Sequence, residues 1–122
     1  MKKIHIIFTI FLLLSAGCGK TDQIEKKILT ENIKEFTVTA KQFVFEPTII
    51  EVNKGDKVKL IVTSTDLSHG FSILEYGINE RVNPGESIIV EFIADKEGEF
   101  TMFCSVYCGE NHSEMKGKLI VK

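Results

Sequence analysis

The C-terminal stretch FTMFCSVYCGENHSEMKGKLIVK (Phe100–Lys122) contains two short strand-like segments with a loop between them. In the first segment, FTMFC, the residues Phe100, Met102 and Cys104 share one face, which is the period of a half-buried β-strand. The second segment, KGKLIVK, is another short apolar run flanked by lysines. The loop that begins at Cys104, CSVYCGENHSEM, carries two cysteines, a histidine and a methionine. We therefore expect a strand, a loop rich in soft donor atoms, and a closing strand.

Upstream of this stretch, similar short segments follow one another from Phe36 onward. FTVTAKQFVF, TIIEV, KVKLIVTS and SIIVEFIA alternate or are rich in β-branched and aromatic residues, and turn sequences such as NKGD and NPGE separate them. In KVKLIVTS the residues Val58, Leu60 and Val62 are predicted to face the core. About six to eight short strands without a convincing helix predict an all-β fold, an antiparallel sandwich or barrel, over residues 36–122.

The N-terminal segment has the features of a secretory signal. The basic MKK is followed by the apolar run Ile4–Leu14 and by SAGC, which ends at Cys18. It resembles a bacterial lipoprotein signal, in which the cysteine becomes the lipidated first residue of the mature chain. An uncleaved anchor helix is the alternative, but the uncharged run is shorter than the roughly 20 residues that span a bilayer. We predict a signal peptide over 1–17, lipidation of Cys18, a polar tether over 19–35, and an extracytoplasmic chain on the outer face of the bacterial cytoplasmic membrane.

The composition excludes nucleic-acid binding and leaves few residues for metal chemistry. Of 122 residues 26% are charged, the formal net charge is −2, and no strongly basic segment is present. If Cys18 carries lipid, two cysteines remain, Cys104 and Cys108. The two histidines beyond the signal are His69 and His112. His69 lies in SHGF, shortly after KVKLIVTS, and in a sandwich that loop can lie beside the Cys104 loop.

Four chemistries compete for the cysteine pair. A disulfide suits an oxidising compartment but explains neither the histidines nor Met115. A thiol oxidoreductase prefers Cys-x-x-Cys at a helix N-terminus, whereas here three residues separate the cysteines in an all-β setting. Zinc can take two cysteines and two histidines, but a structural zinc usually supports a domain too small for a core, and Met115 would be unused. Copper accepts thiolates, imidazoles and a weak axial methionine, and therefore fits the donor set best.

The second cysteine distinguishes this motif from a mononuclear blue-copper site, which uses one cysteine, two histidines and a methionine. Two bridging thiolates would hold two copper ions. Together, HGF, VNPGE and the spacing Cys-x3-Cys-x3-His-x2-Met resemble the CuA domain of cytochrome c oxidase subunit II, in the compact form of the B-family haem–copper oxidases, and the motif is shared with nitrous oxide reductase. The resemblance covers roughly Phe36–Lys122 and implies a Greek-key β-sandwich or barrel of the cupredoxin type.

The resemblance also implies a ligand set. Two thiolates would bridge two copper ions and each ion would gain two further ligands, namely Cys104 and Cys108 as bridges, His69 and Met115 on one copper, and His112 and the backbone carbonyl of Val106 on the other. In larger members of the family a glutamate at the position of Val106 also links to a magnesium site. Valine cannot do so, and no such site is expected.

By this resemblance the chain would be an electron-transfer module without catalysis of its own, or the subunit that receives electrons in a cytochrome c oxidase. It would accept electrons from a cytochrome c or a similar donor. It would pass them to subunit I of a haem–copper oxidase or to another reductase. The alternative is an extracytoplasmic copper chaperone or copper store that uses the same ligands.

Residues around the motif carry further expectations. Family members often receive electrons through an exposed tryptophan, which this chain lacks, so Phe43 or Phe45 is predicted to form an apolar docking patch. Tyr107 is predicted to be a packing residue. Three acidic side chains are predicted to be solvated and, if they surround the site, to attract a basic cytochrome c: Glu75, Glu80 and Glu110.

Overall fold

The computed structural model of the chain describes residues 33–122, where the backbone forms nine β-strands and two single-turn 3-10 helices. The strands are β1 (Ile33–Lys41), β2 (Val44–Glu46), β3 (Ile49–Val52), β4 (Lys57–Ser64), β5 (His69–Ile73), β6 (Ile78–Val82), β7 (Ser87–Ile93), β8 (Gly98–Phe103) and β9 (Lys116–Val121). The 3-10 helices span Leu74–Tyr76 and His112–Glu114. The predicted all-β fold class is confirmed. The predicted signal segment, the lipidation site Cys18 and most of the tether lie outside the described residues.

The first strand begins earlier than the predicted domain. β1 starts at Ile33, so its first residues fall within the segment predicted as tether. It pairs in parallel with β4 over its first eight residues, from Ile33 opposite Lys57 to Ala40 opposite Ser64. Since pairing begins at its first residue, β4 holds this strand from its start. Within residues 33–122, no helix has the length and apolar character needed to cross a membrane.

Two sheets form the sandwich. One has the strand order β2-β1-β4-β7 and the other the order β3-β9-β8-β5-β6. The predicted antiparallel arrangement holds for most neighbours, but β1 pairs with β4 in parallel, and so does β3 with β9. These parallel pairs arise because the chain crosses repeatedly between the sheets, so strands distant in sequence become neighbours. Sequence alternation within one strand does not reveal such crossings.

The core lies between the two sheets. β4 alternates as predicted, with Val58, Leu60 and Val62 fully buried, Ser64 buried, and the intervening residues half-buried. From the opposite sheet Phe71 and Met102 are also fully buried. Fully burying a side chain of this size stabilises the fold by about 1.5–3 kcal/mol. In β5 every residue is buried, so a donor placed at its first residue is held by the core.

Candidate metal centre

The loop between β8 and β9 and the start of β5 carry the predicted ligands. β8 and β9 are antiparallel, and their last paired residues are Phe103 and Lys116. The Cys104 amide donates a hydrogen bond to the Met115 carbonyl, with 3.1 Å between N and O, and closes the base of the loop. Cys104 and Met115 therefore lie opposite each other. The side chain of Cys104, at the start of the loop, approaches His69, the first residue of β5.

The two thiols are close but not bonded. The Sγ atoms of Cys104 and Cys108 lie 3.6 Å apart, and both thiols are free. A disulfide would bring them to about 2.05 Å. Burial, followed by the hydrogen bond and charge of Cys104, raises the pKa of Cys108 to about 12. A thiol with so high a pKa is a poor nucleophile at neutral pH, whereas a metal ion can displace its proton. Cys108 therefore fits metal binding better than thiol exchange.

Two further donors lie beside the sulfur of Cys104. The His69 Nδ1 atom is 3.8 Å from this Sγ, and the carbonyl oxygen of Val106 is 3.0 Å from it. His69 is fully buried, so its imidazole is shielded from water. One sulfur thus has an imidazole nitrogen and a backbone oxygen as neighbours.

Two other donors lie beside the sulfur of Cys108. The His112 Nδ1 atom is 3.6 Å from this Sγ, and the Met115 Sδ atom is 3.8 Å from it. Met115 is fully buried, whereas His112 is half-buried and reaches toward the surface. The structure therefore brings together all six residues predicted as ligands, with two terminal donors beside each cysteine.

The donor set is suited to a soft metal. The ligand atoms of His69, Cys104 and Cys108 lie within 4.8 Å of one another. This is close to twice a metal–donor bond length of about 2.0–2.3 Å, so small shifts would let one ion contact all three. A thioether beside a thiolate is a ligand for copper and adds little for zinc. The residues present therefore fit copper.

Asp66 orients the buried histidine, a role that the sequence analysis missed. Its Oδ1 atom lies 2.6 Å from His69 Nε2, and its Oδ2 accepts the Gln42 amide at 2.7 Å. Burial opposes the charged carboxylate, but hydrogen bonds from the Gln42 amide, His69 and the Leu67 amide outweigh it and lower the pKa of Asp66. With Nε2 donating to this carboxylate, Nδ1 is left free to bind a metal beside Cys104. The signal in the sequence is an aspartate three residues before the histidine, in DLSH.

Gly70 lets β5 approach the loop. Its amide points at the Cys104 sulfur, with 3.4 Å between N and Sγ. A Cβ at this position would lie 2.6 Å from the Ser105 nitrogen and 2.7 Å from the Val106 nitrogen, closer than such atoms can come. The glycine after His69 in HGF is therefore needed for the contact between strand and loop.

Two of the predictions about which side chains near the site are exposed are wrong. Phe45 is fully buried and packs edge-on against Phe71 at 5.5 Å between ring centroids, so its prediction as a docking residue is wrong. Phe43, the alternative, is half-buried, and its docking role stays a prediction. Tyr107 is 75% exposed, so its prediction as a packing residue is also wrong. It lies between two inward-facing cysteines and points outward, with its ring centroid 5.7 Å from that of His112. The three acidic residues predicted to be solvated are all exposed: Glu75, Glu80 and Glu110.

Comparison with known proteins points to one family. The sequence profile of the cupredoxin-like domain matches residues 4–121. The nitrous-oxide reductase of Ralstonia nicotianae is 46% identical over 76 residues, which are 59% of this chain and 12% of the reductase. Cytochrome c oxidase subunit 2 of Thermus thermophilus is 38% identical over 85 residues, which are 70% of this chain and 63% of that subunit. The chain thus spans less than two thirds of these relatives.

Solved structures agree on the architecture. A chain of a heme-copper terminal oxidase dimer superposes with a TM-score of 0.69 at 27% identity, over 77% of this chain and 68% of that one. The periplasmic domain of subunit II of cytochrome oxidase (CoxB) of Bradyrhizobium japonicum superposes with a TM-score of 0.67 at 22% identity, over 73% of this chain and 83% of that one. The second likeness supports the fold alone.

Proposed function

The chain belongs to the cupredoxin-like domain family, and from that premise we propose that it is an electron-transfer protein with a dinuclear CuA copper centre. It is related to cytochrome c oxidase subunit II and to nitrous-oxide reductase. The observation that carries the proposal is the second buried cysteine, Cys108, 3.6 Å from the first. A one-copper site would leave this buried thiol without a function.

The number of terminal donors supports the same reading. His69 and the Val106 carbonyl lie beside one sulfur, and His112 and Met115 beside the other. This grouping by sulfur differs from the predicted grouping by copper, but since each thiolate would bridge both ions, the neighbouring sulfur does not assign a donor to one ion. When bound, the two copper ions would supply a one-electron couple shared between both metals. Two bridging thiolates with two terminal donors for each ion satisfy this arrangement with the residues present.

The chain's own residues would keep the site dry and fixed. The Cys104 and Cys108 side chains are buried, and His69 and Met115 are fully buried. Donors that are packed in the protein interior move little when the charge of a centre changes, which lowers the reorganisation that electron transfer requires. All the predicted coordination positions are filled by protein atoms, so no position is left for a substrate.

The proposed electron partners follow from the relatives. We propose a cytochrome c or a similar donor, and subunit I of a haem–copper oxidase or another reductase as acceptor. The exposed ring of Tyr107 beside the half-buried His112 offers a contact surface close to a predicted ligand. An extracytoplasmic location is proposed with it, on the basis of the predicted N-terminal signal that ends at Cys18. Lipidation of Cys18 stays a prediction.

A copper titration of the metal-free full chain tests the proposal. We expect two copper ions per chain, a purple colour, and an EPR spectrum of one unpaired electron shared between two copper nuclei. Zinc is the matched control and should not reproduce the two-ion stoichiometry, because it gains little from Met115. A single-copper EPR signal at saturation would contradict the dinuclear centre.

Replacing Tyr107 with serine should slow electron exchange with a partner and leave the copper centre intact. The ring is exposed and touches His112, but none of its atoms is a predicted ligand. We expect the electron-transfer rate with a soluble cytochrome c to fall by about tenfold, the order of one lost interface contact of 1–2 kcal/mol. Stopped-flow kinetics measures the rate, and EPR checks the copper. An altered EPR spectrum would instead make Tyr107 part of the site's structure.

A copper chaperone or store is the second candidate. A surface depression of about 350 Å³ beside the site favours it, because it gives a partner access to the half-buried His112. The two functions differ in copper release. A chaperone should give up copper to a competing chelator within minutes, whereas an electron-transfer centre should retain both ions through repeated reduction and oxidation.

A further inference from the structure

The turn between β1 and β2 contacts both segments that carry the predicted copper ligands. The Gln42 amide donates to Asp66 Oδ2 at 2.7 Å, and the Gln42 side-chain Nε2 donates to the Cys108 carbonyl at 2.8 Å. Asp66 in turn accepts from His69 Nε2 at 2.6 Å. One residue of the first sheet therefore connects to the histidine that begins β5 and to the second cysteine of the β8–β9 loop.

The same turn is seated tightly against the loop. A Cβ on Gly109 would lie 2.9 Å from Gln42 Nε2 and 2.9 Å from two ring atoms of Phe43. Gly109 has a φ of +134°, a conformation that side chains other than glycine rarely adopt. The residue after Cys108 thus has both the backbone shape and the small size that let the turn pack on it.

We propose that Gln42 is a positioning residue that sets the spacing between the His69 side and the Cys108 side of the metal centre. This proposal adds a supporting residue to the proposed copper centre. Its tests by copper release, EPR and reduction potential therefore rest on the proposed function. Gln42 holds His69 through Asp66 and holds Cys108 through its backbone carbonyl. Although Gln42 as a whole is exposed, its bond to the Cys108 carbonyl is partly buried, which shields that bond from competing water.

Gln42 can act as a positioning residue because it lies in a turn on the opposite sheet from the segments that carry the predicted ligands. β1 and β2 belong to one sheet, whereas β5, β8 and β9 belong to the other. The ligand-bearing segments share a sheet, and Gln42 reaches them from the opposite sheet. Without its side-chain amide, the carbonyl of Cys108 loses a partner and the peptide before Gly109 can rotate. Hydrogen-bonded groups behind metal ligands commonly change metal affinity by about 10–100-fold when removed.

Gln42→Leu in the full chain tests the proposal, because leucine keeps the approximate size and the backbone amide but cannot donate to Cys108. In the metal-free protein we expect the His112 amide, which bonds the Gly109 carbonyl at 3.1 Å, to exchange its hydrogen about fivefold faster. In the copper-loaded protein we expect copper release at least about tenfold faster. The copper hyperfine splitting in EPR and the reduction potential should both change.

Thr48→Val is the matched control. Its hydroxyl donates to the Phe45 carbonyl at 3.1 Å, so the change removes a comparable bond between side chain and backbone. The bond between Thr48 and Phe45 involves no predicted ligand, unlike the bond from Gln42 to Cys108. Hydrogen exchange at the His112 amide, copper release and the EPR spectrum should therefore stay at wild-type values in Thr48→Val. Gln42→Asn, which shortens the side chain and withdraws the amide, should behave like Gln42→Leu and serves if the leucine variant does not fold.

The outcomes separate the two proposals. If the Gln42 variants match Thr48→Val in hydrogen exchange, copper release and EPR, the positioning role is wrong. If the wild-type chain never forms a two-copper centre, the proposed function is wrong, and hydrogen exchange in the metal-free protein alone decides the role of Gln42. Faster exchange at His112 in both Gln42 variants supports that role in either case.

Discussion

Replacing Cys108 with serine should reduce copper binding from two ions per chain to at most one and abolish the EPR signature of a shared electron. The Cys108 sulfur has three donor atoms within reach, at 3.6 Å from Cys104, 3.6 Å from His112 and 3.8 Å from Met115. A serine hydroxyl is shorter and is a hard donor that copper thiolate sites do not use. What remains is one cysteine, two histidines and a methionine, the ligand set of a mononuclear blue-copper site.

The measurement is copper content at saturation together with EPR and visible spectra. Cys18→Ser is the matched control, since it also removes one thiol but lies at the predicted lipidation site rather than in the metal centre. That variant should bind copper as the wild type does. Two ions per chain in Cys108→Ser would show that this cysteine does not bridge, and the proposed ligand set of the dinuclear centre would be wrong.

Local spacing explains why much of the site could be predicted. Cys104, Cys108, His112 and Met115 lie within twelve residues, so their donors stay close in almost any compact loop. The alternation of β4 also predicted its buried face, because strand geometry alone fixes which side chains turn inward. His69 is 35 residues from Cys104, and its approach depends on how the sheets are connected. It entered the prediction through the resemblance of HGF and through the expected loop placement.

The supporting contacts could not be predicted, because polar loop residues follow no period. Gln42 and the Cys108 carbonyl are 66 residues apart, and no pattern in AKQF marks the side chain as a hydrogen-bond donor to that loop. The orientation of Tyr107 was missed for a related reason. Between two inward cysteines the backbone turns rather than extends, so the alternation that works in strands gives no guidance. Such contacts are defined only by packing in three dimensions.

Replacing Gly70 with alanine should destabilise the domain and weaken copper binding together. A Cβ there would clash with the Ser105 hydroxyl oxygen, which can rotate away. It would also lie 2.6 Å and 2.7 Å from the backbone nitrogens of Ser105 and Val106, which can move only if the loop shifts. Overpacking of this kind costs about 1–3 kcal/mol in the free energy of unfolding. Thermal unfolding should show a Tm lower by roughly 4–8 °C for each kcal/mol lost.

Copper affinity separates crowding at the site from a general loss of stability. Gly85→Ala is the control, because Gly85 has a φ of +75° with nothing near its Cβ position, so its cost is backbone strain of about 1–2 kcal/mol. Both variants should unfold at lower temperature, but only Gly70→Ala should also weaken copper binding, since it displaces Cys104 from the Gly70 amide, 3.4 Å away. Adding Ser105→Gly to Gly70→Ala should restore little, because the backbone contacts remain. Wild-type copper affinity in Gly70→Ala would mean that β5 and the loop need not touch for the centre to form.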